Sequence, residues 1–187
     1  MSRRLALAVV ALGLLPSCMA ASSRPPECTP SSGATILLAQ SVPGATRVPC
    51  LSRVPLGWRF DGMRVTNEGA EMWLSTNTGG MQAVSITFAA TCEIGDAQPV
   101  SPWLDEAGGE VFLELTSHEP IRGARYHRFE GGCITTTYAF PPGSPSGLVR
   151  EADDALAYVP RFQLVNHVET DEGGILCGAA APPCEDG

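Results

Sequence analysis

The middle of the chain alternates apolar and polar residues with a period of two, which predicts β-strands. The clearest example is Val84, Ile86 and Phe88, which alternate with serine and threonine, and the same alternation recurs at 110–115 and 133–140. Because successive strand residues point to opposite faces of a sheet, each segment predicts a strand with one buried face. Further strands are expected at 34–39, 58–60, 63–66, 70–75, 122–129 and 162–168.

Turn residues separate these predicted strands. The apolar parity changes across Asp61-Gly62, which predicts a β-bulge. Asn67-Glu68-Gly69, Thr78-Gly79-Gly80 and Gly131-Gly132 have the residue types of tight turns. Cys92 has the same parity as the apolar residues of 84–88, so its sulfur is expected to point towards the core.

Apolar residues at helical spacing predict one amphipathic helix in the C-terminal half of the chain. Its apolar positions are Leu148, Ala152, Ala155, Leu156 and Val159. Ser146 is the expected N-cap, and Pro160 is expected to end the helix. The fold class is therefore α+β, a mainly antiparallel sheet with one amphipathic helix, and the alternative is a β-sandwich with an added helix.

The N-terminus predicts export. Arg3 and Arg4 precede an apolar run at 5–15, which is the layout of a signal peptide. The run is shorter than the about 20 residues that a membrane span needs. Leu15-Pro16-Ser17-Cys18 resembles a bacterial lipobox, which implies that Cys18 receives diacylglycerol and holds the protein on the extracytoplasmic face of the cell membrane. The alternative is cleavage after Ala20, which would give a secreted protein.

These signals divide the chain into four parts. Residues 1–17 are the predicted signal peptide, and 18–33, rich in Ser and Pro, are a predicted flexible tether. Residues 34–168 are expected to form a single α+β domain. Residues 169–187 are expected to form an acidic, Gly/Pro-rich tail with a small disulfide loop.

Cysteine usage predicts a fold held together by disulfides. The chain has seven cysteines, and either processing route lipidates or removes Cys18. An even number then remains in an oxidising compartment, which predicts three disulfides. Many connectivities are open, and the simplest is sequential pairing: Cys28–Cys50, Cys92–Cys133 and Cys177–Cys184. A metal site is the weaker alternative because no C-x-x-C occurs.

Two segments carry a resemblance. They are LGWRFDGMRV at 56–65, followed by MWL at 72–74, and RYHRFEGGCITTTY at 125–138. Both are similar to parts of small exported, lipoprotein-like actinobacterial proteins of unestablished function. The resemblance implies an envelope location and the Cys92–Cys133 pairing, and it brings no catalytic residue.

Charge composition argues against nucleic acid as a partner. The net charge is −8, and all of the basic side chains are arginine. Nucleic-acid binding depends on neutralising phosphates, which this chain is poorly equipped to do. Arg122, Arg125 and Arg128 form the densest basic cluster, but strand alternation places Arg125 on the opposite face from the other two, so a continuous anion site is not expected.

Candidate catalytic and ligand-binding residues are few. The chain lacks the G-x-S-x-G, P-loop, H-E-x-x-H and dinucleotide motifs, and no cofactor is expected. His118, His127 and His167, with Glu119 or Glu169, are a candidate metal-binding set. Asp105-Glu106 and Asp153-Asp154 are candidate carboxylate pairs for hydrolysis. For all of these residues, an ordinary role on a polar surface is the preferred interpretation. Trp58, Trp73 and Trp103 are candidates for lining a carbohydrate or peptide groove. The preferred interpretation is that they pack within the domain.

The resulting functional hypothesis is a lipid-anchored envelope protein that acts as a non-catalytic binding or structural module. Its partner is expected to be an envelope protein or polymer. The alternative is a secreted or anchored hydrolase of an envelope polymer. A concave site with two convergent ionisable groups would favour the hydrolase, whereas a flat aromatic patch would favour the binding module.

Overall fold

The computed structural model describes residues 20–100 and 108–176, and it confirms an α+β fold built mainly from antiparallel strands. In chain order, the elements are β1 Ala20–Ser22, α1 Gly33–Ser41, β2 Arg47–Leu51, β3 Trp58–Thr66, β4 Gly69–Thr76, β5 Gly80–Ala89, β6 Gln98–Val100, β7 Glu110–His118, β8 Ile121–Phe129, β9 Gly132–Ala139, α2 Gly147–Ala155, β10 Leu156–Pro160 and α3 Arg161–Thr170. Within the described ranges, no helix is long and apolar enough to cross a membrane.

Eight strands form one antiparallel sheet in the order β1-β3-β4-β5-β9-β8-β7-β6. Short turns join β3 to β4, β4 to β5, β7 to β8 and β8 to β9, and such turns can only join antiparallel neighbours. Pairing of β9 with β5 joins the two halves of the sheet, β1-β3-β4-β5 and β9-β8-β7-β6. A second, two-stranded sheet joins β2 to β10.

The predicted bulge and turns are confirmed. The β3–β4 register shifts between Phe60 and Gly62, as a bulge requires. Gly131, in the β8–β9 turn, has a φ of 71°, and a Cβ there would lie 1.7 Å from the carbonyl oxygen of Gly44. Only glycine fits at this approach because any side chain would collide with backbone.

One face of the large sheet, here called the inner face, carries the core. Val84, Ile86 and Phe88 of β5 point to it, and each is at most 1% exposed. A second layer packs on this face and is here called the helical layer; it consists of α1, α2 and α3 with the two-stranded sheet of β2 and β10. Fully buried side chains such as Leu38 of α1 and Leu164 of α3 fill the space between this layer and the large sheet. The opposite, outer face carries the polar partners of the alternation.

Two predicted strands are wrong. Residues 34–39 lie in α1, whose N-cap Ser32 accepts a hydrogen bond from the Thr35 amide. Residues 162–168 lie in α3, which buries Leu164 and Val168 at a spacing of four. Short apolar runs suit either a strand or a buried helix, so local pattern did not distinguish the two.

The predicted amphipathic helix is confirmed in part. Leu148, Ala152 and Ala155 are its buried residues, but it ends at Ala155 rather than at Pro160. Residues 156–160 instead form β10, because their backbone pairs with β2. Ser146 occupies the N-cap position, but its side chain makes no capping hydrogen bond.

Bonding and packing extend beyond the predicted limits of the α+β domain, residues 34 and 168, at both ends. In the described part of the expected tether, β1 pairs with β3, and Thr35 Oγ1 donates to the carbonyl of Glu27 at 2.6 Å. These bonds make 20–33 part of the domain. At the other end, α3 continues to Thr170 and Leu176 is 9% exposed within the core cluster, so packing extends beyond 168.

Two of the predicted disulfides are present, Cys28–Cys50 and Cys92–Cys133. Cys18, Cys177 and Cys184 lie outside the described residues. The expectation that Cys92 points to the core is wrong, because β5 ends at Ala89 and strand parity does not extend to Cys92. Its partner Cys133 alternates with the core residue Ile134, so the bridge lies on the outer face.

Candidate functional site

The strand register aligns side chains in rows across the outer face. One row contains Arg64, Glu71, Thr87, Thr135, Tyr126 and Phe112, taken from β3 to β7. The neighbouring row contains Trp73, Ser85, Thr137, Ala124 and Glu114. Small hydroxyl residues therefore occupy the two central strands, and aromatic residues stand on the strands that flank them.

We call this arrangement the outer trough. Its floor consists of Ser85 and Thr87 on β5 with Thr135 and Thr137 on β9. Thr87 and Thr137 are exposed, whereas Ser85 and Thr135 are half-buried. Each threonine hydroxyl can both donate and accept hydrogen bonds, and the Ser85 hydroxyl, which donates to Glu71 at 3.1 Å, can still accept one. The floor therefore suits a ligand that is itself rich in hydroxyl groups.

Aromatic side chains form the two walls of the outer trough. Trp73 rises from β4 on one side, and Tyr126 with its neighbour Phe112 rises from β8 and β7 on the other. β4 and β8 are three strand spacings apart, about 14 Å. All three rings are half-buried, so part of each remains available for contact.

Charges beside the outer trough are matched in pairs. Arg64 lies 3.0 Å from Glu71, and its guanidinium is 5.9 Å from the ring centre of Trp73. Arg128 Nε donates to Glu110 at 3.0 Å, and its guanidinium is 5.6 Å from the ring centre of Phe112. Each of these two arginines is offset by a carboxylate, so the part of the face around them is suited to an uncharged ligand rather than to an anion.

The inner face carries a polar cluster of a different kind. Arg125 lies 2.7 Å from Asp153 of α2, and the hydroxyl of Tyr138 donates to the other oxygen of the same carboxylate. Both oxygens of Asp153 are thus engaged. This bonding ties α2 to β8 and β9, and it leaves the carboxylate poorly placed to activate a water molecule.

Burial sets the protonation behaviour of this cluster. It raises the pKa of Asp153, although the Arg125 guanidinium opposes the shift. Burial and the neighbouring carboxylate both raise the pKa of Tyr138. Burial disfavours the charged form of Arg125, but the Asp153 carboxylate outweighs it and raises the pKa of Arg125. Burial and charge pairing therefore act in opposite directions on the pKa of Asp153, as they do on the pKa of Arg125.

The three histidines lie on different elements. His118 is exposed at the end of β7. His127 is buried, and its ring centre lies 4.8 Å from that of Tyr158. Its Nε2 lies 3.3 Å from the carbonyl oxygen of Gly108. The expectation that His127 lies on a polar surface is therefore wrong. His167 lies on α3 with Nδ1 2.6 Å from Asp171. Among the described residues, no group of three or more metal-ligating side chains is found.

The tryptophans divide between the two faces. Trp58 is 8% exposed, packs edge-on against Phe140 and donates from Nε1 to Glu151 at 2.8 Å, so it belongs to the core. Trp73 lies on the outer face. Trp103, together with the carboxylate pair Asp105-Glu106, lies outside the described residues.

The remaining charged candidates are separated. Asp153 bonds to Arg125, whereas Asp154 turns towards Arg150 at 3.7 Å, because adjacent residues on a helix do not face each other. Arg122 and Arg128 pair with outer-face residues of β9, and Arg125 points to the inner face, as strand alternation predicts.

A shallow polar groove of about 500 Å³ lies between the 30–31 segment and α3. Gln163, Asn166 and His167 line it. Both ring nitrogens of His167 face carboxylates, with Nδ1 2.6 Å from Asp171 and Nε2 3.4 Å from Glu172. The most reactive group in this groove is therefore already engaged within the protein.

No protein-family model, no curated protein and no solved structure matches the chain. Function is therefore inferred from the residues of this chain. Sequence reasoning singled out Trp73 but missed the outer trough. The signal was present in the polar positions of β5 and β9, Ser85 and Thr87 with Thr135 and Thr137, but local pattern does not reveal that these strands are neighbours.

Proposed function

We propose that this protein is anchored by diacylglycerol on Cys18 to the extracytoplasmic face of the cell membrane, where it binds an uncharged envelope polysaccharide in the outer trough without catalysis. The observation that carries this proposal is the hydroxyl floor between aromatic walls on the exposed sheet face. Sugar hydroxyls exchange hydrogen bonds with Ser and Thr, and the apolar face of a sugar ring packs on an aromatic ring.

Other classes of partner suit this face less well. An extended peptide typically adds to an open sheet edge, but β5 and β9 are paired on both sides. An anionic polymer would need unmatched positive charge, and Arg64 and Arg128 are already paired with Glu71 and Glu110. The polysaccharide is therefore favoured by the chemistry of the floor and the compensation of charge.

The location is supported by the N-terminal pattern and by the two disulfides, since such bonds persist in oxidising compartments. Mass spectrometry of the mature N-terminus tests the anchor. We expect Cys18 to be the first residue and to carry diacylglycerol. An unmodified terminus at Ala21 would contradict the anchor and support a secreted protein.

Binding is tested with the mature full chain on immobilised mannan, galactan and glucan. The wild type is expected to bind at least one of them. Trp73→Ala combined with Tyr126→Ala is expected to weaken that binding about 5-fold or more, because each ring contact contributes about 0.5–1.5 kcal/mol.

Phe162→Ala is the matched control, since it removes an aromatic ring that is 63% exposed on α3, away from the trough. Unchanged binding by the double variant would contradict the proposal, as would preferential binding of an anionic polymer or a peptide. Release of new reducing ends from the polysaccharide would instead identify the alternative, an envelope hydrolase.

A further inference from the structure

The position of β1 limits where the lipid is attached. Ala20 pairs with Val65 and Ser22 with Met63, so β1 runs antiparallel to β3 at one edge of the sheet. Cys18 precedes Ala20 by two residues in the sequence. Two residues span at most about 7 Å, so the acyl chains are attached close to the first residue of β1.

The direction of β1 decides which end of the sheet lies nearest the attachment. Because β1 is antiparallel to β3, Ala20 lies beside the C-terminal end of β3, next to the β3–β4 hairpin at Asn67-Glu68. The β7–β8 turn at Glu119-Pro120 lies at the opposite end and towards the opposite edge. Strands of this length separate the two ends by about 30 Å.

Charge opposes any other contact between the domain and an anionic bilayer. The chain has a net charge of −8, and Glu68 and Glu130 are exposed at the end nearest the attachment. Anionic headgroups repel such a domain over about 8–10 Å at physiological salt. Because the anchor holds one corner only, this repulsion turns the remainder of the domain away from the surface.

We infer that the β3–β4 hairpin faces the lipid headgroups and that the β7–β8 turn points away from the membrane, with an anionic phospholipid bilayer as the apposed surface. This inference rests on the lipidation of Cys18 in the proposed function. In this orientation the sheet stands on the bilayer, and the outer trough opens to the envelope rather than lying against the lipid.

The orientation is tested with the lipidated full chain in vesicles of equal parts phosphatidylcholine and phosphatidylglycerol that carry a headgroup-linked quencher. Glu68→Cys and Glu119→Cys are a matched pair, since each replaces an exposed glutamate in a tight turn between strands. A fluorophore on residue 68 is expected to be quenched several-fold more than one on residue 119. Protein without either substitution, taken through the same labelling, gives the background.

The dependence of quenching on ionic strength gives a second test of the orientation. Because repulsion keeps the domain upright, high salt or pure phosphatidylcholine is expected to reduce the difference between the two labels. Equal quenching at both positions, or stronger quenching at residue 119, would overturn the orientation when intact mass verifies the lipid on Cys18, and it would leave the proposed function standing. An unlipidated terminus would overturn the anchor and the orientation together.

Discussion

The two faces of the large sheet are built from the same strands and differ in almost every physical property. On β5, Val84, Ile86 and Phe88 are buried beneath the helical layer, whereas Ser85 and Thr87 face outwards. Adjacent residues of a strand point to opposite faces, so a side chain that stabilises the core is followed by one that lies on the outer face. Substitutions on the two faces are therefore expected to affect stability and the proposed binding separately.

The pKa values of two aspartates, one on each face, are shifted in opposite directions although each carboxylate bonds to an arginine and a hydroxyl group. On the outer face, Asp61 lies 2.8 Å from Arg59 and accepts a hydrogen bond from Ser75; on the inner face, Asp153 bonds to Arg125 and Tyr138. Burial disfavours ionisation of both, but the hydrogen bonds and the Arg59 charge outweigh it and lower the pKa of Asp61. At Asp153 burial prevails and raises the pKa.

The largest expected effect is the loss of a core side chain. Phe88→Ala should reduce the free energy of unfolding by about 3–5 kcal/mol, because it removes a fully buried ring beneath the helical layer. Thr87→Ala, one residue away and on the outer face, should change it by no more than about 0.5 kcal/mol. Denaturant unfolding measures both, and similar losses in the two variants would refute the division between the faces.

The next effect concerns the Cys92–Cys133 disulfide of the outer face, in which Cys133 is buried. Replacing both cysteines by alanine should cost about 4 kcal/mol, because the bridge closes a loop with a sequence separation of 41. Denaturant unfolding of oxidised protein measures the loss. Cys28→Ala with Cys50→Ala is the matched control, with a separation of 22 and a slightly smaller expected loss. A negligible loss for Cys92 and Cys133 would show that this loop is held by other contacts.

The two aspartates should give opposite pH dependence of stability. The lowered pKa of Asp61 means that its contribution is present above the unfolded value of 3.8 and is lost as pH falls through the folded value. The raised pKa of Asp153 means that its contribution is present below 3.8 and is lost as pH rises through the folded value.

Urea unfolding across a pH series measures these slopes. Asp61→Asn should flatten the loss of stability towards acid. Asp153→Asn should flatten the loss towards neutral pH and should also cost about 2 kcal/mol, since Arg125 loses a charged hydrogen-bond partner. Slopes of the same sign for the two aspartates would contradict the opposite directions of their pKa shifts.

The smallest expected effect is the loss of single hydroxyl groups from the outer trough. Thr87→Val and Thr135→Val keep side-chain size, and each should weaken polysaccharide binding roughly 2- to 12-fold, the equivalent of about 0.5–1.5 kcal/mol per hydrogen bond. Thr116→Val, at an exposed threonine of β7 outside the trough, is the control. Binding isotherms that do not distinguish the three variants would remove the floor from the proposed site.

Local pattern predicted much of the large sheet because exposure within one strand follows from alternation. Val84, Ile86 and Phe88 were placed correctly, as was the bulge after Phe60. It failed for α1 and α3, whose apolar residues occur in runs too short to show a period. It also failed for Cys92, because the strand ends before that residue.

The candidate site was predictable only in fragments. Trp73 was recognised as a possible ligand contact, and the hydroxyl residues of β5 and β9 lay at visibly polar positions. Their convergence depends on the strand order β4-β5-β9-β8, in which β9 pairs with a strand more than forty residues earlier in the chain. No local segment contains that information.

The amino-acid sequence by itself determined the α+β class and the side-chain parity of the central strands. Tertiary structure alone decided that β9 lies beside β5, that β1 joins the sheet edge and that Asp153 meets Arg125. The reason is physical: alternation is a property of one extended backbone, whereas strand order and the packing of α2 depend on interactions between segments distant in the chain.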